Sequence, residues 1–275
     1  ETKDVEVVRP ASQAIKELVP DNFFYTQGYK LKVTGLNVLN WKEEMEQFRY
    51  CERCDHILEE SRAEQTPCPK CGHDSWASVA NRHSFLRLQG VKSFNEESEA
   101  KLDDSSEERQ SELSVRSRHF RFRAGSSQGA YAIQKVPFGI EYVREVDVLD
   151  VNAGISSEYL DRNRLTTLNG KEVGIAGYVT CRTCGKSSSS TYIQKKNKWE
   201  PKEARDYHFA YCKDRDHLYQ NKADKVFEEL FLYREMKTEA LKILLPVQEF
   251  ESESSVSMFK AGIELGLKNY YRGNP

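Results

Sequence analysis

Cysteine is the residue whose spacing in this chain could do chemistry. Six of the seven cysteines stand in three C-x2-C pairs: Cys51/Cys54, Cys68/Cys71 and Cys181/Cys184. Such a pair turns two thiolates onto one side of a tight knuckle, and two facing knuckles complete a tetrahedron around Zn2+. Cys51-Glu-Arg-Cys54 and Cys68-Pro-Lys-Cys71, with thirteen residues between them, have that form. Gly72 follows the second knuckle, where a residue with positive φ is often needed. Pro67 and Pro69 stiffen its approach. A redox pair needs only one C-x2-C in a βαβ setting, and four thiols at this spacing are rarely left unligated, so the spacing predicts a zinc ribbon. Four protein ligands close the site, leaving no position for a water and hence no Lewis-acid chemistry. His56 and His73 are read as neighbours of this site, not ligands.

The second cluster is Cys181-Arg-Thr-Cys184-Gly185 with the remaining Cys212. A site of three cysteines and one histidine needs one of the two that flank Cys212, His208 or His217; the other reading is a redox-inert C-x2-C plus a buried Cys212. His208 is preferred, because His208-Phe-Ala-Tyr-Cys212 puts both ligands on one short turn; His217 stays the alternative. Two Zn2+ ions are therefore expected. With only Cys181, Cys184 and Cys212 as ligands the site would be open, and a metalloenzyme would need a nearby Glu or His base, which no catalytic motif supplies.

Other features resemble chemistry and fail its fingerprint. Gly185-Lys186-Ser187 lacks the first glycine of a phosphate loop, that position being Thr180. No HExxH, GxSxG or paired-acid motif is present. No catalytic residue is assigned, and the chain is read as not an enzyme. Two basic patches suit phosphate or single-strand contact. One is Arg116, Arg118, Arg121 and Arg123 in a short strand, with period two placing His119, Arg121 and Arg123 on one face and Phe120 and Phe122 towards a core. The other is Lys195, Lys196 and Lys198 with Trp199. Charged strand faces and basic loops are more often just solvated surface, and that is the other reading of both patches.

These sites need elements to hold them. Residues 11–20 read as a helix ended by Pro20. Strands are expected at about 22–26 and 29–39 around a Gln27-Gly28 turn, and at 84–90, 115–123, 130–136 and 141–150. Residues 230–238 and 239–247 read as two more strands. Residues 154–170 read as loop, and 94–113, rich in Glu, Asp and Ser, as an acidic loop or linker. Residues 255–272 form the best helix, capped by Ser254 or Ser255, with Val256, Phe259, Ile263, Leu267 and Tyr270 on one face. The expected fold class is α+β: small β-rich domains stabilised by two zinc sites, one of them a ribbon, with a C-terminal amphipathic helix. The blocks are a small β unit over 1–47, the ribbon over 48–80, a β-rich domain over 81–170 and a second zinc unit over 171–275.

Composition agrees with metal-supplemented small cores. Charged residues make up 31% and hydrophobic residues 38%, while the 30 aromatics argue against wholesale disorder. A net charge of -2 gives no global nucleic-acid signature. No stretch approaches the roughly 18 apolar residues of a spanning helix, and the charged start has no signal-peptide core. Paired cysteines without a secretion signal favour metal over disulfides and a cytoplasmic location.

In order, CERC…CPKCG, RHFRFR, GYVTCRTCGK, HFAYC and LFLYREMKTEALKILLPV before an amphipathic helix resemble the C-terminal cysteine-bearing region of bacterial DEAD/DEAH-box superfamily 2 helicases and their associated proteins. That group includes DNA-repair helicases and DISARM-like anti-phage systems. The segment LVPDNFFYTQGYKLKVTG is similar to the small β unit that such proteins place after the helicase core. The resemblance covers most of residues 15–275. It implies a parent protein that is an ATP-dependent DNA helicase or translocase, with Cys51, Cys54, Cys68, Cys71, Cys181, Cys184 and Cys212, and more weakly His208, as zinc ligands. The ATPase motifs are absent from this sequence. It is therefore read as a fragment or partner subunit, a non-catalytic module that braces the motor and contacts DNA, single-stranded by preference, or a partner. The other reading is a protein-interaction scaffold built on zinc ribbons.

Overall fold

The computed structural model describes residues 6–38, 41–51, 53–54, 56–60, 67–94, 114–123, 125–132, 134, 138–155, 166–168, 171–173, 177–189, 191–195, 198–221, 223–244 and 253–271. The chain opens with helix α1 (Ala11–Glu17), which stops short of Pro20. A hairpin follows, β1 (Phe23–Thr26) and β2 (Tyr29–Lys32), with Thr26 opposite Tyr29. Gln27 and Gly28 take φ of 48° and 79°, as a two-residue turn matched to strand twist requires. Next come β3 (Gly35–Leu36), the one-turn helix α2 (Trp41–Glu44), β4 (Met45–Tyr50), β5 (Ile57–Glu59), β6 (Arg82–Arg87) and β7 (Val91–Lys92). A long β stretch holds β8 (Ser114–Phe122), β9 (Ser127–Ala132) and β10 (Gly139–Ile155). The short strands β11 (Thr166–Leu168), β12 (Lys171–Val173), β13 (Tyr178–Cys181), β14 (Ser187–Ser188), β15 (Tyr192–Lys195) and β16 (Lys198–Pro201) precede β17 (Phe227–Leu244) and the C-terminal helix α3 (Glu253–Tyr270).

The protein is thus mostly β with a helix at its C-terminal end. It divides into two compact units: Glu1–Arg121 with Val148–Met236, and Phe122–Asp147 with Lys237–Pro275. Strands from the sequence blocks 48–80, 81–170 and 171–275 share one sheet, in the order β14-β13-β17-β6-β4-β5, with β10 pairing β17, β8 and β9.

In the first unit the sheet is apolar on both faces. Phe231 and Tyr233 join Phe48, Tyr50, Phe85, Leu149 and Val151 in one core; Leu230 and Leu232 join Ile15, Val19, Leu36, Leu86 and Tyr178 in the other. Alternate residues of one strand feed opposite faces, so Leu230–Tyr233 reads as an unbroken apolar run. Each such side chain contributes roughly 1.5–3 kcal/mol on full burial. β17 pairs β6 in parallel at this point, Phe231 opposite Phe85.

The second unit is built on β9 paired with β10, Gly139 opposite Ala132, and on α3, whose Phe259 meets the Phe138 ring edge-on at 5.8 Å. Val143 and Val146 are buried there, and Lys242 pairs with Glu141 at 3.1 Å.

Four expectations need correction. Residues 230–238 and 239–247 are not two strands: β17 runs unbroken to Leu244, because Met236–Glu239 contains no turn-forming residue. Residues 154–170 are not all loop, since β11 and β12 pair antiparallel within and just after that span. The face of α3 is half-buried at Val256, Phe259 and Ile263, but Leu267 and Tyr270 are exposed. The faces of β8 are the reverse of those expected. His119 is 4% exposed and edge-on to Tyr50, whereas Phe120 and Phe122 are 54% and 49% exposed. Period two groups residues into faces without saying which face is inside, and here Glu59 and Glu235 draw Arg121 inward. The acidic segment lies, from residue 95 on, outside the described residues.

Candidate metal centres

The first centre is built by two knuckles. The backbone N–H of Cys51 donates to the His56 carbonyl at 2.9 Å, and that of Cys68 donates to the His73 carbonyl at 3.0 Å. Each bond spans five residues and folds the intervening C-x2-C into a loop with both sulfurs on one side. Gly72, at φ 70°, donates to the Cys68 carbonyl at 2.8 Å. His56 and His73 thus serve the site through backbone carbonyls. The Cys51 and Cys71 sulfurs are 3.7 Å apart, as are those of Cys54 and Cys68. A tetrahedron with Zn–S bonds of about 2.3 Å has edges of roughly 3.8 Å, so the sulfurs stand where such an ion needs them. Trp76, fully buried, packs against Cys51 and Cys68, and Arg49 ties its carbonyl down at 3.0 Å.

The third knuckle repeats the pattern. Cys181 donates to the Lys186 carbonyl at 2.9 Å, and Gly185, at φ 80°, donates to the Cys181 carbonyl at 2.9 Å. Cys212 and His208 face it from a turn that follows the short 3-10 helix Ala204–Tyr207, with Cys212 N–H bonded to the Phe209 carbonyl. The Cys181 and Cys212 sulfurs are 3.8 Å apart, and His208 Nδ1 is 3.2 Å from Cys181 Sγ and 3.4 Å from Cys212 Sγ. His208 Nε2 is 2.9 Å from the His217 carbonyl. A carbonyl only accepts, so Nε2 carries the proton and the Nδ1 lone pair points at the sulfurs, as a ligating imidazole requires. His217 lies elsewhere: its ring nitrogen is 3.1 Å from Asp224. The fourth position goes to His208.

In both sets, Cys51/Cys54/Cys68/Cys71 and Cys181/Cys184/His208/Cys212, the ligand atoms lie within 4.8 Å of one another. Without a cation such clusters resist full ionisation. Burial pushes the Cys51 thiol up, and in the second set the neighbouring Cys184 sulfur and burial push Cys181 up. Cys184 is held down to about 4 by its hydrogen bond with Cys181 and, against the effect of burial, by the N–H groups of Phe209 and Lys186. A bound divalent ion lets all the thiols ionise together.

The second centre is wedged against the N-terminal segment. Leu36 N–H donates to the Gly185 carbonyl at 2.8 Å, and Ser187 N–H donates to the Thr34 carbonyl at 3.1 Å. Asp21 accepts bonds from Ser189 N–H at 2.8 Å, Ser188 Oγ at 2.9 Å and Ser189 Oγ at 3.0 Å, and pairs with Lys32 at 3.3 Å. Burial works to raise the Asp21 pKa, but Lys32 and Lys202 with these hydrogen bonds hold it at about 2. No sequence signal marks this cluster; only folding brings Asp21 to Ser188 and Ser189.

The basic residues fare differently. Arg118 pairs with Asp150 at 2.5 Å, Arg121 with Glu59 at 2.7 Å and with Glu235, and Arg123 with Glu145 and Asp147, each at 3.3 Å. Arg116 is exposed. Lys195 and Lys198 face each other across the β15–β16 pair, with Trp199 opposite Gln194. Lys196 and the side chains of Lys195, Lys198 and Trp199 lie outside what is described.

Fold and site together define a β-rich protein with two cysteine-rich clusters able to hold metal ions. Comparison with protein-family models, curated proteins and solved structures gives no match. Among the described residues no helix is long and apolar enough to cross a membrane.

Proposed function

We propose that the chain is a non-catalytic, two-zinc module of an ATP-dependent DNA helicase or translocase system, bracing the motor and docking DNA or a partner. The observation that carries the non-catalytic part is closure: each cluster offers four protein ligands, and His208 fills the position a metalloenzyme keeps open. Zinc in such a site supplies folding free energy, on the order of 10 kcal/mol in small peptides. The helicase part is supported by the ordered motifs quoted above from CERC to the C-terminal helix. A DNA path would run along Lys195, Lys196, Lys198 and Trp199 rather than along β8. A second reading, a protein-interaction scaffold, is favoured by the pairing of Arg118, Arg121 and Arg123 with carboxylates.

Elemental mass spectrometry on the purified chain, with a fluorescence titration of single-stranded DNA at two salt concentrations, tests both. Two zincs and salt-steep binding that is lost on changing Lys195, Lys196 and Lys198 to Glu support the helicase module. Two zincs without DNA binding favour the scaffold. One zinc, unaffected by changing Cys181, Cys184 or Cys212 to Ser, overturns the assembly of the second centre.

A further inference from the structure

The two clusters differ in three independent ways. The first is exposure. Cys54 and Cys71 are half-buried, while Cys181, Cys184, His208 and Cys212 are 0%, 2%, 2% and 6% exposed. The second is charge. Four thiolates around a divalent ion leave a net charge of -2, whereas three thiolates and a neutral imidazole leave -1, and the more negative set has the more nucleophilic sulfurs. The third is support. The knuckle of the second set is bonded to Thr34, Leu36 and, through Ser188 and Ser189, to Asp21, and Lys186 Nζ reaches the His208 carbonyl at 3.2 Å. The bonds described at the first set are local, such as Lys70 Nζ to the Cys54 carbonyl at 3.3 Å.

We propose that Cys54 and Cys71 are an oxidant-accessible modification site, at which hydrogen peroxide discharges the ion of the first centre while the second is retained. The inference rests on the zinc reading. The half-buried Cys54 thiolate attacks one peroxide oxygen, the O–O bond breaks and hydroxide leaves, giving a sulfenic acid. The Cys68 thiolate, 3.7 Å away, attacks that sulfur and expels a second hydroxide, forming the disulfide. Two thiolates lose two electrons, peroxide gains two, and the ion loses two of its four ligands. Cys71 and Cys51, also 3.7 Å apart, can repeat the step.

The experiment uses the full chain, its zinc content measured beforehand, exposed to hydrogen peroxide with a metallochromic dye present. Oxidised cysteines are then mapped by alkylation and mass spectrometry. One zinc is expected in a phase at least tenfold faster than the other, with oxidation confined to Cys51, Cys54, Cys68 and Cys71. Asp21→Asn, which weakens the support of the second knuckle, is expected to speed the slow phase several-fold and leave the fast one unchanged. Release of both zincs in one phase, or first oxidation at Cys181, Cys184 or Cys212, overturns the proposal. A chain that carries no zinc at the outset sinks the zinc reading itself, and so the two failures are told apart.

Discussion

Gly72 and Gly185 hold equivalent places, four residues after the first cysteine of a knuckle, at φ 70° and 80°. Alanine at either meets the cost of a left-handed backbone, about 1–2 kcal/mol. At Gly72 that is the whole cost, since a Cβ there has nothing within 4 Å. At Gly185 a Cβ would lie 2.3 Å from the Leu36 carbonyl oxygen and 3.0 Å from Val38 Cγ2. The Leu36 backbone cannot yield cheaply, because its own N–H holds the Gly185 carbonyl at 2.8 Å. Losing that bond costs about 1 kcal/mol and forcing the segments apart a further 1–3 kcal/mol or so. Gly185→Ala should therefore destabilise by about 3–6 kcal/mol and Gly72→Ala by about 1–2 kcal/mol. Thermal melts of the metal-loaded chain check this, at about 2–4 °C per kcal/mol for a domain of this size. Gly35→Ala probes the same junction from the other side, its Cβ falling 2.7 Å from the Gly185 carbonyl oxygen, and should combine with Gly185→Ala less than additively. Equal melting shifts for Gly72→Ala and Gly185→Ala would refute the reasoning.

Three other outcomes are expected. His208→Ala should lower the metal content of the purified chain from two ions to one, while His217→Ala, which keeps the backbone carbonyl that holds His208, should retain both; the reverse result would give the ligand role to His217. Asp21 is depressed from 3.8 to about 2, and its side chain is only 15% exposed, so it contributes about 2 kcal/mol at neutral pH. That contribution is complete above about pH 4 and disappears as pH falls through 2, so the stability gap between the native chain and Asp21→Asn in urea unfolding should close over that window. Both chains are compared after removal of metal, and a gap that stays constant down to pH 2 counts against the cluster. Tyr233→Phe removes the bond from a buried hydroxyl to Glu46 Oε1 at 2.7 Å and should cost about 1–2 kcal/mol in the same assay, an unchanged urea midpoint being the contrary result.

The cysteine sets were legible because a knuckle is a local object. Two thiolates three residues apart, closed by a backbone bond across five residues, need little from the rest of the chain. The hairpin at Gln27-Gly28 and the helix over 253–270 were legible for the same reason: turn chemistry and helical period act within a few residues. The face of β8 was not legible. Alternation gives two sets, and the choice between burying Phe120 with Phe122 or His119 with Arg121 falls to Tyr50, Glu59 and Glu235, all distant in sequence.

The sequence by itself determined the seven thiols, the pairing of six of them into knuckles and the two candidate histidines beside Cys212. Tertiary structure alone decided which histidine, since His208 and His217 both stand within five residues of Cys212. The choice follows from the His217 carbonyl, which takes the Nε2 proton of His208 and leaves Nδ1 to face the sulfurs. It also decided that one cluster is buried and held by Asp21, Thr34 and Leu36 while the other keeps two of its cysteines only half-buried. Burial depends on which remote segments pack against a knuckle, and no spacing within the knuckle encodes that.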